Sequence, residues 1–210
     1  MHRPATGRAL AGAPPTKDPA PDDPGAEIEA LRQEVASLKA RLARAEELAD
    51  ADVLTPVLNR RAFLRELNRS VDLVRRYGNP AALIYFDLDG FKDVNDRFGH
   101  PAGDAALMAV AERLLNNVRL SDVVGRLGGD EFAVILARAD AATAQVKARA
   151  LAAAIAAAPV LFEGARVELK ASFGVREIDG IAPAEQVLAA ADAAMFLRKP
   201  GRDAEKTWGE

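Results

Sequence analysis

Apolar residues recur along the chain with different periods, and the changes of period divide it into three parts. Residues 1–26 are rich in proline and alanine and show no apolar period, so we expect a disordered arm. Residues 27–51 follow a heptad pattern with apolar residues at Ile28, Leu31, Val35, Leu38, Leu42, Ala45 and Ala49. Helical and strand-like periods alternate over residues 52–205, which predicts one α+β domain.

The heptad predicts a short parallel coiled coil of two strands. Ile28 and Val35 at a positions, with leucines at d positions, favour a dimer. The flanking charges match in a parallel pair, because Glu27 would face Arg32, Glu34 would face Lys39, and Arg41 would face Glu46. A single amphipathic helix docked on its own domain is the alternative, and it explains the apolar stripe but not these pairs. Because a coil of about three heptads is marginal, we expect dimerisation to depend on concentration or on the domain.

Within the domain, the spacing of apolar residues predicts four helices and four strands. The helices are expected over Phe63–Arg76, Asp104–Arg119, Ala141–Ala158 and from Pro183 to Leu197. The strands are expected over Ala81–Leu88, Val123–Leu127, Glu131–Leu136 and Val167–Val175. Gly128 and Gly129 separate two of the strands, and we expect them to supply the positive φ of a tight hairpin turn.

Composition and charge limit the classes of function. A formal net charge of −3 argues against broad electrostatic binding to nucleic acid or an acidic membrane, so any phosphate site must be local. The chain has no cysteine, which excludes disulfides and thiolate metal sites and is compatible with the cytoplasm, where we expect the protein. No apolar run approaches the ~20 residues that a membrane-spanning helix needs.

Acidic residues cluster where the predicted strands end. Asp87 and Asp89 close the first strand, and Asp130 and Glu131 follow the glycines of the hairpin. If the hairpin pairs beside the first strand, Asp87 and Asp130 converge, and converging carboxylates are costly unless a cation neutralises them. Mg²⁺ held by one or two carboxylates together with substrate phosphates fits this arrangement. The alternative is that the acids are solvated turn and capping residues.

The segment between the two acidic clusters is dense in side chains that could bind a ligand. Lys92 can meet a phosphate as a point charge, while Asn95 offers an amide and Asp104 a carboxylate. An amide beside a carboxylate complements the donors and acceptors on the edge of guanine. Taken singly, each of these residues is more often a helix cap or a polar surface residue.

Four motifs in order now point to a known family. They are DVLTPVLNRR at 52–61, FDLDGFKDVNDRFGHPAGD at 86–104, GGDEF at 128–132 and ASFGV at 171–175. Together they strongly resemble the GGDEF domain of bacterial diguanylate cyclases. The resemblance implies a fold similar to nucleotidyl cyclases and polymerase palms, with a central, mainly antiparallel sheet flanked by helices. It also implies an enzyme that makes cyclic di-GMP from two GTP with release of pyrophosphate.

The resemblance implies roles for individual residues. Asp87, Asp130 and the carbonyl of Leu88 would bind Mg²⁺, or Mn²⁺, with two or more ions per pair of half-sites. Glu131 would support that site or act as a further ligand, and Asp130 would also help to deprotonate the 3′-hydroxyl. Substrate would be bound by Lys92, Asn95, Asp104, Gly128, Gly129, Lys199 and Arg202, although the spacing from Lys199 to Arg202 is one residue shorter than usual.

The resemblance also implies a homodimer and a site for product. Each domain would present one GTP, so two half-sites must face each other, and the coil would bring them together. Arg119 and Asp122 match the family's RxxD product-inhibition site, with Arg149 or Lys147 as a secondary contact; on spacing alone they could equally be an ion pair at a helix end. Two rival functions remain: a catalytically silent GGDEF receptor for GTP or cyclic di-GMP, and a coiled-coil interaction protein.

Overall fold

The structure, a computed structural model, describes residues 24–197 and Lys199. The chain divides into two units, residues 1–46 and residues 47–210. Helix α1 (Pro24–Asp50) covers the segment with the heptad pattern and begins three residues before the predicted start. Four heptad residues on this helix are 48–53% exposed: Ile28, Leu31, Val35 and Leu38. The pairing of two such helices stays a prediction, and residues 1–23 of the predicted arm lie outside the described residues.

The described part of the second unit contains seven strands. They are β1 (Leu58–Asn59), β2 (Ala81–Leu88), β3 (Val123–Arg126), β4 (Glu131–Ala137), β5 (Val160–Phe162), β6 (Ala165–Val167) and β7 (Ala171–Ile178). Five of them form one sheet in the order β1-β3-β4-β2-β7, and β5 pairs with β6 in a separate hairpin. Every neighbouring pair in the larger sheet is antiparallel except β1 with β3, which confirms the predicted, mainly antiparallel sheet.

Helices cover both faces of the sheet. They are α2 (Arg60–Tyr77), α3 (Phe91–Phe98), α4 (His100–Asn116), α5 (Ala141–Ala156) and α6 (Ala184–Phe196). One core joins α4 and α5 to the face of β2 that carries Ile84 and Phe86. The other core joins α2 and α6 to the face that carries Leu83 and Tyr85. Because helices cover both faces of the sheet, side chains on both sides of β2 are buried. This explains the nearly continuous apolar run from which the strand was predicted.

Local capping explains why the first helix of the domain has its observed limits. Asn59 accepts a hydrogen bond from the backbone N–H of Ala62 at 3.0 Å, and this starts α2 three residues before the predicted position. Gly78 ends the helix with φ 70°, and its N–H donates to the carbonyl of Val74. None of the helices in the described part of the chain combines the length and the apolar character that crossing a membrane requires.

Several predicted boundaries were wrong. Helix α4 begins at His100 and ends at Asn116, so Arg119 lies in the loop before β3 rather than on the helix, and α5 ends two residues early, at Ala156. Helix α3 was not predicted as a helix at all. The predicted strand Val167–Val175 is divided between two sheets, because β6 pairs with β5 and β7 pairs with β2, although the alternation of apolar residues runs through both.

The turn between β3 and β4 is built differently from the expected one. Neither Gly128 nor Gly129 has φ in the left-handed region, so the prediction that they supply a positive φ was wrong. A Cβ on Gly128 would instead lie 2.2 Å from Oε2 of Glu131, while one on Gly129 would meet nothing within 4 Å. Gly128 is therefore required for space beside the Glu131 carboxylate, not for its backbone angle.

Candidate active site

The sheet brings the two acidic clusters of the sequence together. Strands β2 and β4 pair so that Asp87 lies opposite Glu131, and the N–H of Leu88 donates to the carbonyl of Asp130 at 3.2 Å. The hairpin does pair beside the first strand, which was the condition for Asp87 and Asp130 to converge. One end of the sheet thus carries Asp87 and Glu131 on paired strands, with Asp130 in the turn directly before β4.

The charges at this end of the sheet strongly affect one another. Burial and the neighbouring charge of Asp87 raise the pKa of Asp130 above its usual value, which means that its ionised form is disfavoured. The Lys199 ammonium donates to Oδ1 of Asp87 at 2.5 Å. Burial works against the charged amine, but Asp87, Asp130 and Asp89 outweigh it and raise the pKa of Lys199. The site therefore favours a positive charge.

The oxygen atoms at this site suit a hard divalent cation. The ammonium group of Lys199 forms an ion pair with Asp87 in the position that a metal cation could take, and burial together with the charge of Asp87 raises the pKa of Asp130. Residues 24–197 and 199 hold no group of three or more Asp, Glu, His or Cys side chains suited to a metal. The two carboxylates of Asp87 and Asp130 are therefore too few to hold a metal alone. They fit Mg²⁺, which is commonly held by one or two carboxylates and completed by substrate phosphates and water.

Glu131 is held by its neighbours on the face that packs against α2 and α6. The pKa of the Tyr85 hydroxyl is raised, first because the side chain is buried and second because it hydrogen-bonds to the Glu131 carboxylate. That carboxylate also fills the space left by the missing side chain of Gly128. Sequence reasoning missed Tyr85, because an aromatic residue in a buried strand is indistinguishable from core.

Asp89 has a structural role at the same end of the sheet. Its carboxylate accepts a hydrogen bond from the Ser172 hydroxyl at 2.7 Å, and its N–H donates to the carbonyl of Lys170 at 2.9 Å. Ser172 is only 8% exposed, so this bond also satisfies a buried hydroxyl. Asp89 therefore ties the end of β2 to β7.

Two arginines hold the turn that carries Asp130. Arg126 donates from Nε and Nη2 to the carbonyl of Gly129, at 3.2 and 2.8 Å, and Arg60 donates to the carbonyl of Leu127 at 3.3 Å. The third donor of Arg126, Nη1, reaches Oδ1 of Asp52 at 3.1 Å. Sequence reasoning missed the roles of Arg126, Arg60 and Asp52, although Arg126 stands two residues before the glycines and Asp52 opens the first motif.

Asp52 organises the short segment that enters the domain. Its Oδ1 also accepts from the backbone N–H of Thr55 at 2.9 Å and from the Thr55 hydroxyl at 2.7 Å. Burial opposes ionisation of Asp52, but the bonds from Thr55 and from Arg126 outweigh it and lower the pKa of the carboxyl. The guanidinium of Arg126 therefore joins the entry segment to the turn that carries Asp130.

The predicted guanine-binding residues lie on the helix pair α3 and α4. Asn95 sits in the space beside Gly103, where a Cβ would lie only 2.0 Å from its Oδ1. Asp104, the next residue on α4, is exposed, as is Lys92 on α3. The two helices thus bring the amide of Asn95 close to the backbone that carries Asp104.

Arg119 and Asp122 line a pocket at the far end of β4. Other residues of its wall are Leu136, Ala137, Arg138, Ala139, Thr143 and Lys147. Lys147 therefore lies in the wall, whereas Arg149, the other proposed secondary contact, does not.

Of the last two residues predicted to bind substrate, Lys199 lies at the acidic site and Arg202 lies outside the described residues.

Comparison with known proteins agrees with the motifs. Residues 49–204 match the family described as "Diguanylate cyclase, GGDEF domain". The chain is 33% identical over 177 residues to diguanylate cyclase DgcP of Pseudomonas aeruginosa, covering 84% of this chain and 26% of that protein. Identity to diguanylate cyclase DosC of Escherichia coli is also 33%, over 75% of this chain and 35% of DosC. The chain thus spans about a third or less of these curated relatives.

Two solved structures are similar in fold. The coiled coil and GGDEF domain of DgcB from Caulobacter crescentus, in complex with c-di-GMP, has a TM-score of 0.74 and 26% identity and covers 85% of this chain and 95% of that one. A sensory box/GGDEF family protein from the same species has a TM-score of 0.66 and 39% identity and covers 70% of this chain and 96% of that one.

Proposed function

The chain belongs to the family of diguanylate cyclase GGDEF domains, and on that premise we propose that it condenses two GTP into cyclic di-GMP with release of pyrophosphate. The observation that carries the proposal is the meeting of Asp87 and Asp130 at one end of the sheet, with Lys199 beside them. Phosphoryl transfer needs such a concentration of charged groups, because most of its catalysis is positioning and electrostatic stabilisation.

The reaction joins two nucleotides twice. The 3′-oxygen of one GTP attacks the α-phosphorus of the other, a new O–P bond forms, and the bond to the β-phosphate breaks to release pyrophosphate. The proton of the 3′-hydroxyl needs an acceptor, and we assign this role to the Asp130 carboxylate.

Asp87, Asp130 and the carbonyl of Leu88 would hold Mg²⁺, and Mn²⁺ could replace it. When bound, the metal supplies charge neutralisation for the phosphates and lowers the pKa of the attacking hydroxyl. Glu131 would lie beside this metal site as a supporting carboxylate. Its position is fixed by the hydrogen bond with Tyr85 and by the contact of its carboxylate with Gly128. Lys199 is then free to move from Asp87 to a substrate phosphate, and we assign Arg202 to the phosphates as well.

Recognition of guanine is assigned to the helix pair. The amide of Asn95 and the carboxylate of Asp104 complement the acceptors and donors of the guanine edge. Lys92, on the exposed side of α3, would approach the phosphates as a point charge. Gly128 and Gly129 would let the backbone of the turn approach them closely.

The reaction requires two copies of the chain. Each domain holds one GTP, so a monomer has half a site, and a two-fold arrangement of two domains completes it. We assign the pairing to the exposed heptad residues of α1. Joining the chains through a coil raises the effective concentration of the second half-site to roughly millimolar.

We also assign the pocket of Arg119 and Asp122 to the product. A guanidinium can bind a phosphate or the acceptor edge of guanine through two parallel hydrogen bonds, and a carboxylate can accept from the donors of guanine. The pocket lies at the opposite end of β4 from Asp130, so product bound there would not compete directly with GTP.

The test of the activity is to incubate the purified chain with GTP and Mg²⁺ and to identify the products by mass. Cyclic di-GMP and pyrophosphate in a ratio of one to two are expected, and Asp130→Ala should form neither. GTP binding without any cyclic di-GMP would instead establish a receptor.

A further inference from the structure

Arg138 adopts a backbone conformation that an arginine rarely takes. Its φ is 53°, in the left-handed region, directly after β4. The residues that follow Arg138 are held in place, since the N–H of Ala139 donates to the carbonyl of Pro80 at 3.1 Å and Asp140 caps α5. Glycine fits this conformation without strain, whereas a side chain there costs on the order of 1 kcal/mol. Strain of this kind is a reason to look for a function of the side chain.

Arg138 lines the same pocket as Arg119 and Asp122. The pocket is open to solvent and has a volume of about 80 Å³, well below the ~300 Å³ at which sites for drug-sized ligands begin. It therefore takes one phosphate group or the edge of one base. The remainder of a dinucleotide must lie outside the pocket, where the exposed side chain of Arg138 stands.

The charges of the pocket are unbalanced in favour of an anion. Arg119, Arg138 and Lys147 face a single carboxylate, that of Asp122. The carboxylate oxygens of Asp122 accept hydrogen bonds from the backbone N–H groups of Arg119 and Ala137, at 3.0 and 3.2 Å. Within residues 24–197 and 199, no ion pair involves any of the three cations. A ligand with two phosphates would match the local excess of two positive charges.

Arg138 also borders a second cavity. This cavity measures about 230 Å³, and its wall includes Tyr77, Asn79, Pro80 and Ala81 as well as Arg138. Tyr77 is 61% exposed there. Because Arg138 belongs to both walls, a ligand that fills the first pocket and extends toward this cavity would lie beside this residue.

We propose that Arg138 is a ligand-binding residue of this pocket, and that its guanidinium contacts a phosphate or a guanine edge of the cyclic dinucleotide held by Arg119 and Asp122. The inference rests on the proposed role of the pocket as the product site. It adds a cation that the RxxD motif does not include, and it gives a reason for an arginine at a position where glycine would be unstrained.

The test is to titrate cyclic di-GMP into the nucleotide-free chain by calorimetry and to measure Tm for each variant. Arg138→Gly removes both strain and charge, while Arg138→Gln removes the charge and keeps the strain. Both should weaken binding by about tenfold, which is about 1.4 kcal/mol. Tm should be maintained or raised in Arg138→Gly, since the strain is relieved.

Two further variants separate the possible outcomes. Glu163→Gly relieves a similar strain, at φ 47° in the β5–β6 turn, and should leave the affinity unchanged. Arg119→Ala should weaken the binding of cyclic di-GMP, because it removes the arginine of the RxxD motif. If Arg119→Ala weakens binding but neither Arg138 variant does, this inference is overturned and the product site stands. If the unaltered chain does not bind cyclic di-GMP, the product site and this inference both fail. If Arg138→Gly alone weakens binding, the backbone acts and not the guanidinium, and the inference also fails.

Discussion

Arg126 and Asp52 form an ion pair at 3.1 Å, with side chains only 15% and 14% exposed. The same guanidinium donates twice to the carbonyl of Gly129, next to Asp130. Asp52 lies two residues after the end of α1, in the segment that enters the domain. The side chain of Arg126 therefore joins this segment to the turn with the acidic residues. A displacement of the entry segment would thus be transmitted to the turn without crossing the core.

Arg126→Ala should destabilise the domain by about 2 kcal/mol, since it removes three hydrogen bonds, one of them to a carboxylate. It should also slow cyclic di-GMP formation, because the turn loses its anchor. Arg69→Ala is the control, since Arg69 forms an exposed pair with Glu66 on α2. Urea unfolding and initial rates would measure both effects. Equal results for the two variants would show that Arg126 does not hold the turn.

The Asp52 carboxyl predicts a specific pH dependence of stability. Its folded pKa is lowered, so its ionised form stabilises the fold above the unfolded value of 3.8, and that stabilisation is lost as pH falls through the lowered pKa. Asp52→Asn should therefore be less stable than the unaltered chain at pH 7, with the difference shrinking below pH 3.8. Urea unfolding across this range would measure it. A difference independent of pH would rule out the ion pair as its cause.

Asp130→Asn should have the opposite effect on stability from Asp52→Asn. The variant removes a carboxylate that burial and Asp87 keep from ionising freely, so the metal-free domain should have a higher Tm at pH 7. Turnover should fall by at least about 100-fold, because the variant loses the proposed proton acceptor and a proposed metal ligand. Mg²⁺ should raise Tm less in the variant than in the unaltered chain. A lower Tm for metal-free Asp130→Asn would contradict the proposed convergence of charge.

The two glycines of the turn should differ in their tolerance of a side chain. Gly128→Ala places a Cβ against the Glu131 carboxylate, which must move away from Tyr85, while Gly129→Ala meets open space. Because the carboxylate is the far end of a flexible side chain, we expect little change in Tm for either variant. Gly128→Ala should lower kcat by about tenfold, as measured with saturating GTP. Gly129→Ala leaves Glu131 in place, so any loss of kcat that it causes would report the proposed approach of the turn to the phosphates. If it lowered kcat as much as Gly128→Ala does, the position of Glu131 would not be the cause.

The exposed stripe on α1 should control association. Leu38→Glu places a charge at a d position, while Ser37→Glu places the same charge on the adjacent c position, outside the seam. Leu38→Glu should raise the dimer Kd by at least about tenfold, since burying a leucine contributes about 1.5–3 kcal/mol. Analytical ultracentrifugation would show the change, and activity should return at high protein concentration. A dimer insensitive to Leu38→Glu would place the interface elsewhere.

The strands were predictable where their apolar residues are continuous, as in β2, whose limits Ala81–Leu88 the sequence gives correctly. Asp87 and Asp130 could be predicted as a pair because they end neighbouring strands. Helix α3 escaped prediction although Phe91, Val94 and Phe98 follow a helical spacing and pack against the core, because the segment was interpreted only for its polar, ligand-binding side chains. The division after Val167 escaped because inward-facing residues alternate in the same phase on both sides of it.

Roles that depend on distant contacts could not be predicted from local pattern. The bond from Arg126 to Asp52 joins residues 74 positions apart, and neither spacing nor charge order indicates it. Gly128 was assigned to backbone geometry because the contact with Glu131 becomes visible only in three dimensions. The strain at Arg138 is likewise a property of the turn that follows β4, not of the arginine's neighbours in sequence.

The most direct test of the central claim is the rate of cyclic di-GMP formation per protomer, measured with GTP and Mg²⁺ over a range of protein concentrations. The proposed half-site arrangement predicts a rate that rises as dimers form and then becomes constant. Cyclic di-GMP absent at every concentration, while GTP is bound, would contradict the proposed activity.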